Sequence, residues 1–252
     1  MRAGRLRSGL RRGAELLDAL LPAACVSCGA AAPVGGPPVC HACLARLPAI
    51  PLPHCPRCGY TRLPGLAAAG GCAECATWSD ELPRAAAPFL HESPADRMVH
   101  GLKYRGATAL APWMGAAMAA AARRLAGDDA PVLVPVPISR SRLRERGYNQ
   151  ALLLARGLSA VTGWPVSESL RRRRSAPAQA GRGRAARARN VNDAFELARP
   201  VRPGRESRVL LVDDVLTTAA TAGACARALL RGSAACLGIV CFARTPPRDP
   251  GA

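Results

Sequence analysis

The sequence predicts an α/β fold: a parallel sheet flanked by helices, preceded by a small cysteine-rich module. Two observations carry this. Three short apolar runs, at 131–138, 208–212 and 234–242, are dominated by Val, Leu, Ile and Ala and have the length of strands buried on both faces. Helical, Ala-rich stretches separate them, which is the alternation a parallel sheet with right-handed crossovers requires. Upstream, eight of the 11 Cys form four Cys-x-x-Cys pairs amid Pro and Gly, with too few apolar residues nearby for a core of their own.

The elements follow in order. Residues 1–24 carry Arg2, Arg5, Arg7, Arg11 and Arg12 before the run Leu16–Leu21. Glu15 and Asp18 interrupt its apolar part, so a basic amphipathic helix is expected rather than a signal segment. Residues 25–80 hold the Cys pairs, 81–245 the larger domain and 246–252 a tail. Ala85–Leu90 reads as a strand, Ser93 as the cap of a helix with Pro94 at its first position, and that helix runs to about Leu102. An Ala-rich helix spans 107–126. The strand 131–138 leads into a basic loop, 139–150, and a helix to about Val161. Residues 171–195 read as a mobile basic loop or hairpin, Phe195–Leu197 as a short strand and 200–206 as a turn. The strand 208–212 ends at Asp213 and Asp214. A hydroxyl-rich loop follows, then a helix to Arg231 and the strand 234–242.

Composition narrows the function. The chain has 252 residues, enough for one good core and a small accessory module. A net charge of +18 with pI near 10.9 invites polyanions, whether nucleic acid, phosphorylated metabolites or an anionic surface. Nearly all of it is Arg, a bias that also reflects GC-rich coding, and Lys103 is the sole Lys. Coding bias does not explain the span 139–189, where 13 Arg face Glu145 and Glu168, a net +11. No apolar run approaches the roughly 18–20 residues a membrane span needs. Without an export signal the cytoplasm is the expected compartment, and its thiols stay reduced.

Cys25/Cys28, Cys40/Cys43, Cys55/Cys58 and Cys72/Cys75 have the spacing that lets two thiolates reach one tetrahedral ion from a tight turn. Four such knuckles make two closed Cys₄ zinc sites, most simply first with second and third with fourth; a crossed pairing stays open. Disulfides and a redox Cys-x-x-Cys are the alternatives. His41 and His54 are bystanders or substitutes. Closed Cys₄ zinc is structural, so no catalysis is assigned to it. Cys225, Cys236 and Cys241 read as small buried hydrophobes.

The centre of the chain is the segment from Arg208 to Thr221. Strand, paired acids, Thr217, Thr218 and Thr221 among small residues, then a helix start: this order suits an anion, because a helix N-terminus offers unpaired N–H groups and a positive dipole end. Paired Asp hold sugar hydroxyls, or Mg²⁺ through water. The alternative is a buried strand followed by a Thr-capped helix. Lys103 offers a compact point charge for phosphate where Arg offers a fork. Arg140, Arg144 and Arg146, after a second strand, can neutralise a pyrophosphate across the sheet edge.

Segment 213–221 resembles the phosphoribosyl pyrophosphate (PRPP) loop of type I phosphoribosyltransferases. Ala219 stands where that family usually has Gly, and Ala accepts positive φ poorly. The chain as a whole resembles the ComF family (ComFC and GntX type). The resemblance rests on the four knuckles, Leu102-Lys103-Tyr104-x-Gly106, Val134-Pro135-Val136-Pro137, Arg146-Gly147-Tyr148-Asn149-Gln150, Gln179…Arg187…Asn190…Phe195, and Asp213-Asp214-Val215-x-Thr217-Thr218. Asp193 and the Arg-rich filling of 181–189 depart from the usual pattern. The resemblance implies a type I phosphoribosyltransferase-like domain after a double zinc ribbon. It also implies PRPP with Mg²⁺ as ligand, and a link to single-stranded DNA, a competence helicase and other competence proteins.

Under it, Asp213 and Asp214 contact the ribose and Mg²⁺, and Val215, Leu216, Thr217, Thr218, Ala219, Ala220 and Thr221 cradle the 5′-phosphate. Val136, Pro137, Ser139, Arg140 and Arg144 face the pyrophosphate. Lys103, Arg174 and Arg187 are the catalytic candidates, with 171–190 as lid. Arg171, Arg172, Arg173, Arg182 and Arg184 are candidates for nucleic acid. The expected function is phosphoribosyl transfer. A nucleic-acid adaptor that keeps the fold without turnover is the alternative, and a zinc-ribbon scaffold for a protein partner is a third.

Overall fold

Strands β3 (Val132–Pro135), β6 (Ser207–Leu216) and β7 (Ala234–Arg244) run parallel, with β6 between the other two. Two short strands, β1 (Ala85–Ala86) and β2 (Phe89–Leu90), pair in succession with the free edge of β7, also parallel. The computed structural model describes residues 24–33, 35–60, 72–76, 78, 80–173, 194–201 and 207–246. The predicted N-terminal helix, the tail from 247, and Arg174, Arg182, Arg184 and Arg187 lie outside them.

Period-two alternation sorts the core. Leu210, Val212, Val240 and Phe242 face α2 (Ala95–Tyr104), α3 (Ala111–Ala117), α4 (Ala119–Ala126) and α6 (Gln150–Thr162). Val209, Leu211, Ile239 and Cys241 face α7 (Ala220–Leu230) on the other side. On that side β4 (Leu170–Arg172) and β5 (Phe195–Leu197) form an antiparallel pair. With so few aromatics, close approach replaces bulk. A Cβ on Gly115 of α3 would sit 2.4 Å from the Leu154 carbonyl oxygen of α6, and one on Gly157 would sit 2.7 Å from that of Ala111.

Several boundaries differ from the sequence reading. Ala85–Leu90 is two strands, not one. Pro94 occupies the cap position of α2, and neither it nor Ser93 makes a side-chain cap. The turn there is already closed by the Asp96 N–H donating to the Glu92 carbonyl at 3.0 Å. The 107–126 helix divides into a 3₁₀ turn (Thr108–Leu110), α3 and α4, which break at Met118, where its N–H reaches back only to Gly115. Strand β6 does not end at the aspartates. It continues through them to Leu216, because β7 keeps pairing with it as far as Arg244.

The Cys-rich module contains α1 (His41–Ala45) and two matching knuckles. In each the first Cys carbonyl accepts from a Gly N–H at 2.8 Å, and those residues, Gly29 and Gly59, have φ of 79° and 66°. The first four-cysteine cluster packs into the α2 side of the core through Cys25, Val26 and Cys43. The second docks against β1, whose Ala85 N–H donates to the Arg57 carbonyl at 2.7 Å. There the buried Arg244 guanidinium donates to the Cys58 carbonyl and to Glu74, and lies over the rings of Tyr60 and Trp78 at 5.2 and 5.4 Å.

Candidate functional site at the carboxyl edge of the sheet

The four Cys of each predicted site come together in sequential pairing. Cys25, Cys28, Cys40 and Cys43 form one cluster, and Cys55, Cys58, Cys72 and Cys75 the other, with all Sγ atoms of a set within 4.8 Å of one another. Sγ separations of 3.6 Å (Cys28–Cys40), 3.7 Å (Cys58–Cys72) and 3.9 Å (Cys55–Cys75) match the edge of about 3.8 Å for a tetrahedron with Zn–S near 2.3 Å. The donor sets therefore fit Zn²⁺. His41 and His54 belong to neither cluster. Cys225 is buried in α7 and Cys241 in β7, and Cys236 is partly buried.

Beyond the carboxyl ends of β3 and β6 lies a cavity of about 200 Å³. Lys103, Val136, Pro137, Asp213 to Thr218 and Thr221 line it, so the two halves predicted from separate parts of the chain do meet. Asp213 and Asp214 are successive strand residues and their side chains diverge. Asp214 is 2% exposed, and its Oδ1 pairs with Lys103 Nζ at 2.7 Å. Its Oδ2 is buried with no hydrogen-bond partner among the described residues. Burial, and then the Asp214 charge, push the Asp213 carboxyl up to about 8.

The segment 213–221 turns into α7 without a side-chain cap, so no side chain satisfies the first amides of that helix. Ala219 has φ −71° and ψ −4°, ordinary right-handed geometry, and its methyl packs into the core. Glycine is not needed here, whatever the usual pattern. Ala219 and Ala220 do not line the cavity; Ala222 does.

The predicted basic loop is largely a helix, α5 (Arg140–Arg146), capped by Ser139 Oγ accepting from the Arg142 N–H at 3.2 Å and ended by Gly147 at φ 82°. Helical spacing puts Arg142 and Arg146 on the cavity face, while Arg140 and Arg144 are exposed elsewhere. Ser139 and Gly147 were the available signals for this helix and went unread, and Arg142 was missed. Gln150 also lines the cavity and accepts from Arg146.

The Tyr148–Asn149 pair is architectural. The Tyr148 hydroxyl donates to the Leu102 carbonyl, steadying the end of α2 beside Lys103. Asn149 caps α6 through the Ala151 N–H and donates to the Val136 carbonyl at 3.1 Å. Arg171 and Arg173 pair with Glu196 at 2.7 and 2.9 Å; Arg172 lines the cavity and lies over the Phe195 ring at 5.4 Å.

Residues 16–76 match the double zinc ribbon domain family. Over 231 residues the chain is 30% identical to the DNA utilization protein YhgH of Escherichia coli (strain K12), covering 89% of this chain and 98% of that one. The chain belongs to the ComF/YhgH family. It is also 26% identical over 205 residues to the competence protein ComFC of Bacillus subtilis (strain 168), covering 78% of this chain and 80% of the relative. To competence protein F of Haemophilus influenzae it is 38% identical over 90 residues, 35% of this chain and 39% of the relative. In this ComF-family chain no helix among the described residues is long and apolar enough to cross a membrane.

Proposed function

We propose that the carboxyl-edge cavity binds PRPP with Mg²⁺, and that the protein transfers the phosphoribosyl group in a role tied to the handling of single-stranded DNA. One observation carries the reading: the aspartate pair, the threonine loop at an uncapped helix start, and Lys103, Arg142 and Arg146 converge on a single cavity.

The side chains divide the ligand among them. The unpartnered Oδ2 of Asp214 accepts a ribose hydroxyl, which removes the cost of leaving a buried carboxylate oxygen unsatisfied. Thr217, Thr218, Thr221 and the first amides of α7 take the 5′-phosphate. Arg142, Arg146 and Lys103 hold the pyrophosphate where negative charge grows as the C1′–O bond breaks; prearranged cations lower that barrier without a covalent nucleophile. Mg²⁺, when bound with PRPP, adds positive charge at the same leaving group. Arg172 is positioned to close the open side.

PRPP with Mg²⁺ is expected to raise the melting temperature. Asp213→Asn with Asp214→Asn is expected to abolish that rise. No shift at millimolar PRPP defeats ligand binding, and pyrophosphate release with an acceptor base decides turnover.

The second reading, a non-catalytic adaptor, draws on the net +11 of span 139–189 and on the relatives named for DNA utilization and competence. It expects single-strand binding, steeply salt-dependent, that survives the double Asp substitution and falls on charge reversal of Arg171, Arg172 and Arg173.

A further inference from the structure

Lys103 and Tyr104 belong to two hollows. On their far side lies a second cavity, of about 560 Å³, walled by His91, Asp96, Arg97 and His100, and by the first zinc knuckle at Val26 and Ser27. His91 is the first residue after β2, and its N–H donates to the Arg244 carbonyl at 2.7 Å. Its imidazole therefore leaves from the same carboxyl edge of the sheet as Asp213 and Asp214. Asp96, His100, Lys103 and Tyr104 are spaced along one face of α2. Arg97 Nη1 donates to the Ser27 carbonyl at 2.9 Å and holds the knuckle against that helix.

Tyr104 is unusual. It is 65% exposed in a chain with very few aromatics, and its ring lies 4.9 Å from that of His100 at 46°. The hollow thus joins an aromatic pair to a rim of both donors and acceptors. Burial and the adjacent Lys103 ammonium lower the proton affinity of His91, so near neutral pH its imidazole offers one donor and one acceptor. A bare phosphate needs only cations and gains nothing from an exposed ring. A flat nitrogen heterocycle uses all of these features, since its face stacks on an aromatic ring and edge hydrogen bonds orient it.

We propose that this second cavity is a nucleobase seat, the base lying against Tyr104 and His100 with its edge held by His91 and Asp96. The part of this inference that makes the base an acceptor rests on the phosphoribosyl reading of the neighbouring cavity. With Lys103 and Tyr104 on the shared wall, a base seated here borders the cavity assigned to PRPP. The same chemistry is presented by a free base and by a base carried on a single strand.

The test is fluorescence titration of the zinc-loaded full chain with 2-aminopurine, as the free base and as one residue within an oligothymidylate. It is run with and without PRPP and Mg²⁺. Saturable quenching is expected in at least one arm, weakened at least tenfold by Tyr104→Ala and by His91→Ala and kept by Tyr104→Phe. Tyr104 is exposed, so Tyr104→Ala is expected to fold. Quenching by the free base alone assigns the seat to a free acceptor, and quenching by the oligonucleotide alone assigns it to a strand. Absence of saturable quenching in both arms, or quenching unchanged in Tyr104→Ala, overturns the proposal. The melting shift with PRPP is read in parallel. Its absence beside intact quenching sinks the phosphoribosyl reading and leaves the base seat standing.

Discussion

Lys103 Nζ lies 2.7 Å from Asp214 Oδ1, although 111 positions separate the two residues. The only Lys of an Arg-rich chain neutralises the most buried carboxylate among the described residues. A compact ammonium fits this wall between two cavities, where the planar fork of Arg would reach past it.

Breaking that pair leaves an uncompensated charge. Lys103→Met is expected to lower unfolding stability by about 3 kcal/mol, and Asp214→Asn by less, since the ammonium left behind is 23% exposed against 4% for the carboxylate. The double variant should cost clearly less than the sum. Urea denaturation of all four proteins as a double-mutant cycle measures this, and additivity would show the pair contributes nothing.

Asp213 predicts a pH dependence. Its native pKa of about 8 lies above the unfolded value of about 4. Below pH 4 both states are protonated and the site costs nothing. Between 4 and 8 the unfolded chain ionises first, so this group's contribution falls as pH rises, and the full cost is present above 8. Asp213→Asn, which cannot ionise, should therefore melt progressively higher than wild type from pH 5 to pH 8.5. A constant difference in melting temperature across that range would refute the shift.

Ala219→Gly should not improve the site. With φ at −71° and ψ at −4°, ordinary right-handed geometry, the loop has no use for the extra conformational freedom of glycine. PRPP affinity within twofold of wild type is expected by calorimetry; a gain of tenfold would mean that the loop needs the conformational freedom Ala denies it.

The α3–α6 contact is a steric prediction. Gly115→Ala places a methyl against the Leu154 carbonyl, a backbone atom that cannot rotate away. A loss of about 3 kcal/mol or failure to fold is expected, against less than 0.5 kcal/mol for Ala at exposed Arg144 in α5.

Metal content should be two zinc ions per chain, by atomic emission. Arg244→Ala removes the guanidinium that ties the second knuckle to β7, so one ion of the two should leave faster to a chelator while the other keeps its wild-type rate. Equal acceleration of both would show that Arg244 acts on the whole fold instead.

Local chemistry was largely legible. Cys-x-x-Cys spacing determines a knuckle within four residues, and the apolar runs flanked by helical stretches announced the sheet. The acid-threonine segment was read correctly as lying at the edge of the sheet, yet its strand was ended too early. Whether β6 stops at Asp213 depends on how far β7 pairs beside it, and nothing in residues 208–216 reports that. The arginine cluster went astray for a related reason. Read as a loop, any of Arg140, Arg142, Arg144 and Arg146 can face the cavity; wound into α5, only Arg142 and Arg146 do.

By itself the sequence determined two four-cysteine clusters, a parallel α/β core and an acid-threonine turn at its edge, because each is written in residues close together along the chain. Packing decided that the knuckles pair in order, that Lys103 answers Asp214, and that Tyr104 lies between two hollows with the Arg146 guanidinium 5.3 Å over its ring. Those outcomes depend on contacts between segments from about a dozen to more than a hundred residues apart, which tertiary packing sets and no local pattern encodes.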